Sequence, residues 1–97
     1  NWVEFGWDQP QAIAGARVIS GYGQGDTAAD PIGDFVLEYD DSGQWREIPG
    51  TRTEVNTKTD WQCRFPTVRA QRVRLRVEKT KIDISRIWEI ELYGPKP

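Results

Sequence analysis

Apolar and polar residues alternate with period two along most of this 97-residue chain, the mark of strands with one face in a core and one in water. Val3, Phe5 and Trp7 share one face of an opening strand and Trp2 and Glu4 the other, until Gln9-Pro10 breaks the run. Ile13, Ala16 and Val18 form a second β-leaning run ending near Ser20, and Gly15 in its middle predicts a bulge or kink. Gly21 to Asp34 carries four glycines and Pro31 without apolar periodicity and reads as the longest loop. Phe35, Leu37 and Tyr39 then alternate with Val36 and Glu38; Asp40-Asp41-Ser42-Gly43 supplies turn residues; Trp45 and Ile48 resume the pattern, so a hairpin is predicted. Pro49-Gly50 ends it, and the polar, Thr-rich stretch from Thr51 to Asp60 has room for one ragged edge strand.

Trp61, Cys63 and Phe65 alternate up to Pro66, and Val73, Leu75 and Val77 alternate with Arg72, Arg74 and Arg76 in the clearest strand of all. After a loop from Glu78 to Asp83, Trp88, Ile90 and Leu92 oppose Glu89, Glu91 and Tyr93 in a closing strand. There is no amphipathic helix of three turns, no repeat and no linker. Short strands separated by turns predict an all-β fold, an antiparallel β-sandwich formed as a single domain by residues 1–97. Trp45 and Trp88 are expected in its core. If the two strands are neighbours, the arginine stripe is expected to pair with Glu89 and Glu91 on the outward face of the closing strand.

Composition narrows the chemistry. Without histidine and with Cys63 as the only cysteine, Ser/His/Asp, Cys/His and zinc sites all lack parts, no internal disulfide can form, and catalysis is not expected. Asp40-Asp41 sits in a turn, and Gly21-Tyr22-Gly23-Gln24-Gly25 lacks the spacing and the following helix of a phosphate loop. A formal charge of -2 gives no reason to invoke nucleic acid, and no apolar run approaches the roughly 20 residues that cross a bilayer. The chain begins without Met, directly in a strand-like run, which suggests an excised piece of a longer protein.

Four stretches, in order, resemble the discoidin family, the coagulation factor V/VIII type C domains that include the family-32 carbohydrate-binding modules. These are Trp2-Val3-Glu4-Phe5 through Pro10, Ile13 and Val18; Phe35-Val36-Leu37-Glu38-Tyr39 with Trp45 and Ile48; Phe65-Pro66-x-Val68-x-Ala70 with Val73 to Val77; and the closing strand up to Tyr93-Gly94. Gly6-Trp7-Asp8 departs from the family's usual Asp-Leu-Gly, and the segment that family domains carry ahead of the first stretch is not in this sequence.

The resemblance implies a jelly-roll sandwich of the galactose-binding-like type, acting as a non-catalytic carbohydrate-binding module that keeps a larger secreted enzyme or surface protein near a glycan. A galactose-type sugar or a plant or host polysaccharide is the implied ligand, a parent catalytic domain the implied partner, and the bacterial exterior or periplasm the implied location. The competing reading is an interaction domain that packs against its parent's catalytic domain and binds no sugar. A lipid-binding member of the family needs apolar spikes at its loop tips, for which only Ile32, Ile82 and Ile84 are available. Because the family binds through loops at one end, the candidates by position and type are Tyr22, Gln24, Asp26, Asp30, Arg52, Asn56 and Trp61. Tyr22 or Trp61 would stack on a sugar ring and the rest would bond hydroxyls; burial at a strand end is the competing reading of Trp61. Many relatives also hold a structural calcium, which here would draw on the Trp88 carbonyl and the Glu89 side chain; an Arg pair is the alternative for Glu89.

Overall fold

Alternation does produce strands, but two of them are far longer than the breaks at Pro10 and Pro66 suggest. The computed structural model describes residues 2–20, 22–24, 27–29, 32–56, 58–80 and 87–95, all strand or connecting segment. The strands are β1 (Trp2–Ser20), β2 (Tyr22–Gln24), β3 (Thr27–Ala29), β4 (Ile32–Asp41), β5 (Gln44–Glu47), β6 (Asp60–Thr80) and β7 (Ile87–Tyr93). Five form one antiparallel sheet in the order β5-β4-β6-β1-β7, and β2 and β3 pair separately as a short hairpin. That hairpin falls in the stretch expected to be a loop.

Both prolines sit where the ladder needs no N–H. Between Gly6↔Arg72 and Gln11↔Ala70, β1 inserts Trp7, Asp8, Gln9 and Pro10 opposite Gln71 alone, whose side-chain amide donates to the Asp8 carbonyl at 2.9 Å. Between Ile13↔Val68 and Gly15↔Arg64, β6 inserts Phe65, Pro66 and Thr67 opposite Ala14. Such insertions bend and twist a strand pair, and the expected kink at Gly15 lies at the second of them.

The bend makes one sheet serve as both layers of a sandwich. Phe35 on β4 pairs with Val77 of β6, yet its ring meets that of Trp61, at the far end of β6, edge to face at 5.0 Å. Sixteen residues of straight strand would hold those positions roughly 50 Å apart. The inner face so enclosed contains Ile13, Ala16, Val18, Phe35, Leu37, Ile48, Trp61, Phe65, Val73, Leu75 and Val77. Trp61 is therefore core, as its face-sharing with Cys63 and Phe65 allowed.

Two expectations need correction. Trp45 pairs with Asp40 on β4 and lies half-buried on the outer face, where the Arg74 guanidinium stacks on it at 4.3 Å and reaches Trp2 at 5.6 Å; Arg72 lies 5.2 Å from the same Trp45 ring. The arginine stripe pairs with Glu4, Glu38 and Asp40 rather than Glu89 and Glu91, because β4 and the first half of β1 flank this part of β6. Glu38 is buried under this layer and accepts from Arg74 Nε at 2.8 Å.

Beyond the end of β5, Thr51 satisfies the β4 backbone. Fully buried, its hydroxyl accepts the Leu37 N–H at 3.2 Å and donates to the Ile48 carbonyl at 2.7 Å. Thr51→Val keeps the shape and strands the Leu37 N–H, while the Ile48 carbonyl still accepts the Thr51 N–H at 3.2 Å, so urea unfolding should show a loss of about 1–3 kcal/mol with an unchanged m-value.

Candidate functional site

The strand ends that flank the stretches holding the ligand-binding candidates meet at one end of the folded sheet. Ser20, where β1 ends ahead of the β2–β3 hairpin, donates its N–H to the Thr59 carbonyl at 2.8 Å and pairs with Ile87 at the start of β7. The 51–59 segment is stitched to the start of β4: Phe35 and Thr53 exchange backbone bonds at 3.0 and 2.9 Å, and the Asn56 N–H donates to the Gly33 carbonyl at 2.9 Å. Ile32 of β4 pairs with Thr80 at the end of β6. The strand ends from which the hairpin, the 51–59 segment and the β6–β7 connection depart are thus bonded to one another at this end.

The individual candidates fare differently. Tyr22 and Gln24 occupy β2, opposite Ala29 and Thr27; their side chains, Asp26 and Asp30 lie outside the described part of the structure. Arg52 bridges two carboxylates, Glu47 at 3.0 Å and Glu78 at 2.7 Å, and these partners raise its pKa. Asn56 is buried, and its side-chain amide closes a turn by accepting the Lys58 N–H at 3.0 Å and donating to the Lys58 carbonyl at 2.9 Å. Trp61 is 9% exposed with its edge against Phe35, so it is a wall of the core rather than a stacking platform. The last three hold the loop end in shape.

Sequence reasoning missed Val55. It is 79% exposed at the tip of the 51–59 segment with φ of 52°, a left-handed conformation that a β-branched residue avoids. Both adjacent N–H groups are tied down, that of Val55 to Asp34 Oδ1 at 2.9 Å and that of Asn56 to Gly33, and these bonds hold the strained residue in place.

Glu89 lies on the outer face of β7 in a polar row that crosses the second half of the sheet. Arg17 of β1 donates to both carboxylate oxygens of Asp60 on β6, at 2.9 and 2.7 Å, and approaches Glu91 at 3.9 Å. The Arg17 hydrogen bonds and charge hold the Asp60 carboxyl below the ordinary carboxylate range. The Tyr93 hydroxyl donates to Glu91, lowering the Glu91 pKa, and the neighbouring Glu91 pushes Glu89 up. The register slips by one residue between Ile19↔Glu89 and Ser20↔Ile87, which leaves Trp88 out of the ladder. Its carbonyl and the Glu89 carboxylate offer three oxygens at most, against the six to eight that calcium takes. Among the described residues no group of three or more acidic, His or Cys side chains is placed to hold a metal, so these residues do not by themselves fit calcium. Cys63 gives its thiol to the Gly50 carbonyl at 3.4 Å, and burial pushes that thiol up, away from the nucleophilic thiolate.

No protein-family model matches the sequence, and no curated protein matches it. Among solved structures, the family 32 carbohydrate-binding module of EndoD from Streptococcus pneumoniae superposes with a TM-score of 0.79 at 19% identity, over 97% of this chain and 69% of that one. Chitosan-binding module 2 of a chitosanase/glucanase from Paenibacillus sp. IK-5, solved with chitotriose, gives 0.76 at 18% identity, over 96% of this chain and 69% of the module. A Bacteroides thetaiotaomicron protein named as an α-L-fucosidase gives 0.78 at 19% identity, and this chain, 99% covered, spans only 20% of it. The chain has the fold of family 32 and related carbohydrate-binding modules, the galactose-binding-like β-sandwich.

Two outcomes follow from this geometry. Val55→Asn, which tolerates the left-handed conformation, should raise stability in urea unfolding by about 1 kcal/mol. In carboxyl NMR titration Asp60 should titrate below the ordinary range and return toward it in Arg17→Gln. The pair's stabilisation is present above the unfolded carboxylate pKa and lost as pH falls through the depressed folded value, so acidification should cost the wild type more stability than the variant.

Proposed function

We propose that this chain is a non-catalytic carbohydrate-binding module that takes its ligand at the loop end and serves a larger extracellular protein. The observation that carries the reading is the fold itself. Its neighbours include the family 32 module and a chitosan-binding module solved with chitotriose, and the same fold occupies a fifth of the fucosidase chain. The physical basis is a stiff double layer whose hydrogen-bonded rim holds the strand ends from which the loops depart, while sequence variation in those loops sets what is bound. Tyr22 supplies the aromatic face and Gln24, Asp26 and Asp30 the hydroxyl contacts, because Arg52, Asn56 and Trp61 are already committed to the protein. A module on the surface of a secreted bacterial enzyme would meet its polysaccharide outside the cytoplasm, and a shallow, wet site keeps affinity weak.

A second reading has its own observation. Trp2 is 60% exposed on the outer sheet face beside Arg74, Trp45 and Arg72, and Trp and Arg are the residues that anchor protein interfaces. Packing of that face against a catalytic domain would use it.

Glycan-array binding of wild type and Tyr22→Ala separates the two. The module reading expects glycan binding by the wild type that falls at least about tenfold in the folded variant, as loss of an aromatic stack implies. A folded wild type that binds no glycan, and whose exposed Trp2 is quenched on adding a catalytic domain, would replace it with the interaction reading.

A further inference from the structure

The outer face of the second half-sheet carries a groove that the loop end does not use. It has a volume of about 150 Å³ and is lined by Ala16, Gln62, Cys63, Arg64 and Tyr93. Ala16 and Cys63 face inward with the core residues, so the groove runs over their backbone. Its origin is Gly15, which pairs with Arg64 on one side and Tyr93 on the other and contributes no side chain between them. A Cβ there would stand 3.3 Å from the Cys63 carbonyl oxygen, 3.5 Å from Tyr93 Cδ2 and 3.8 Å from Arg64 Cγ. Glycine therefore keeps open a slot with a tyrosine ring on one wall and an arginine on the other.

The polar groups around the slot are of both kinds and are partly uncommitted. The Arg64 guanidinium is exposed and has no partner among the described residues, in contrast to Arg17, Arg52, Arg72 and Arg74. The Gln62 amide makes only a long contact to Asp60, at 3.5 Å. Beside them stand the carboxylates of Asp60 and Glu91, one fixed by Arg17 and the other by the Tyr93 hydroxyl. An anionic ligand would meet these two carboxylates, and a cationic one Arg17 and Arg64. A neutral polyol satisfies all of them, since each hydroxyl both donates and accepts. The groove is below the roughly 300–1,000 Å³ of a drug-sized pocket, which limits it to one ring.

We infer that this groove is a second carbohydrate subsite, taking a single neutral pyranose unit of a glycan that lies across the sheet face. It rests on the carbohydrate-binding reading but lies along the sheet from the loop end: Arg64 and Gln62 donate to ring hydroxyls, Glu91, bonded to the Tyr93 hydroxyl, accepts from them, and Tyr93 lines the ring's carbon face. Two weak sites on one module let a polysaccharide bind with more than either affinity when both are engaged.

Isotope-labelled wild type and an Arg64→Ala/Gln62→Ala variant, both changes at exposed positions, are titrated by NMR with lactose, cellotriose and triacetylchitotriose. The subsite predicts that at least one of these probes shifts the amide resonances of Gly15, Gln62, Arg64 and Tyr93. In the variant, binding at this face weakens at least about tenfold, as expected for loss of a charged hydrogen-bond donor, while shifts at 51–59 remain. Shifts confined to the loop end would overturn the subsite and leave the module reading standing. Shifts confined to the sheet face would leave the subsite standing and overturn the placement of a ligand at the loop end. No shift anywhere with any of the three sugars would overturn both.

Discussion

The structure depends on the pairing of β1 with β6 along almost their whole lengths. Nineteen and 21 residues of straight strand would span roughly 60–70 Å, whereas the molecule's longest dimension is 39 Å. The pair has to bend, and it bends where the two strands contribute unequal numbers of residues, at Trp7–Pro10 and at Phe65–Thr67. From this follow the enclosure of a core by a single face of a single sheet and the meeting of the ends of β1, β4, β6 and β7 at one end.

Folding one sheet over itself leaves two outer faces, which handle charge differently. On the first half, Arg72, Arg74 and Arg76 are matched by Glu4, Glu38 and Asp40 and flanked by Trp2 and Trp45, so the charged layer is also a packed one. Each exposed ion pair stabilises by about 1 kcal/mol or less; the stacking and the burial of Glu38 make that face a structural layer. On the second half, Arg17 and Asp60 are paired but Arg64 has no partner among the described residues, and the aromatic wall is a tyrosine whose hydroxyl is already held. One face is closed upon itself and the other retains hydrogen-bonding capacity.

Much of this was legible in the sequence because side-chain parity along a strand is a local property. The opposition of Val73, Leu75 and Val77 to the arginines, the turn at Asp40–Gly43 and the irregularity at Gly15 all follow from it. Parity does not say which strands are neighbours, and that is why the arginines were matched with the wrong carboxylates and Trp45 was put inside. Pro10 and Pro66 read as breaks because proline lacks a ladder donor, yet within an insertion no donor is needed. At the candidate site, Arg52 and Asn56 looked available because they are polar and lie in a loop; a loop packed against a sheet must satisfy its own backbone and charges, and it uses those side chains to do so. Val55 was invisible because nothing in a valine announces a left-handed backbone. The groove was half visible: Gln62 and Arg64 alternate with Trp61 and Cys63, but Tyr93 reaches them only through the strand order.

The same β1–β6 ladder joins residues that are remote in sequence, Trp2 with Arg76 at one extreme and Ile19 with Asp60 at the other. The β4–β5 hairpin, closed by Ser42 and Gly43 with the Gly43 N–H bonded to Asp40, can form in about 1–10 μs. The long ladder must first close loops of most of the chain, which puts folding in the ms-to-s range of high-contact-order β proteins. On the ribosome β1 is made ahead of β6 and has to wait for it. Through that interval its unpaired backbone edges are open to other chains, so the architecture that stiffens the finished sandwich also sets the period in which the nascent chain is most prone to aggregate.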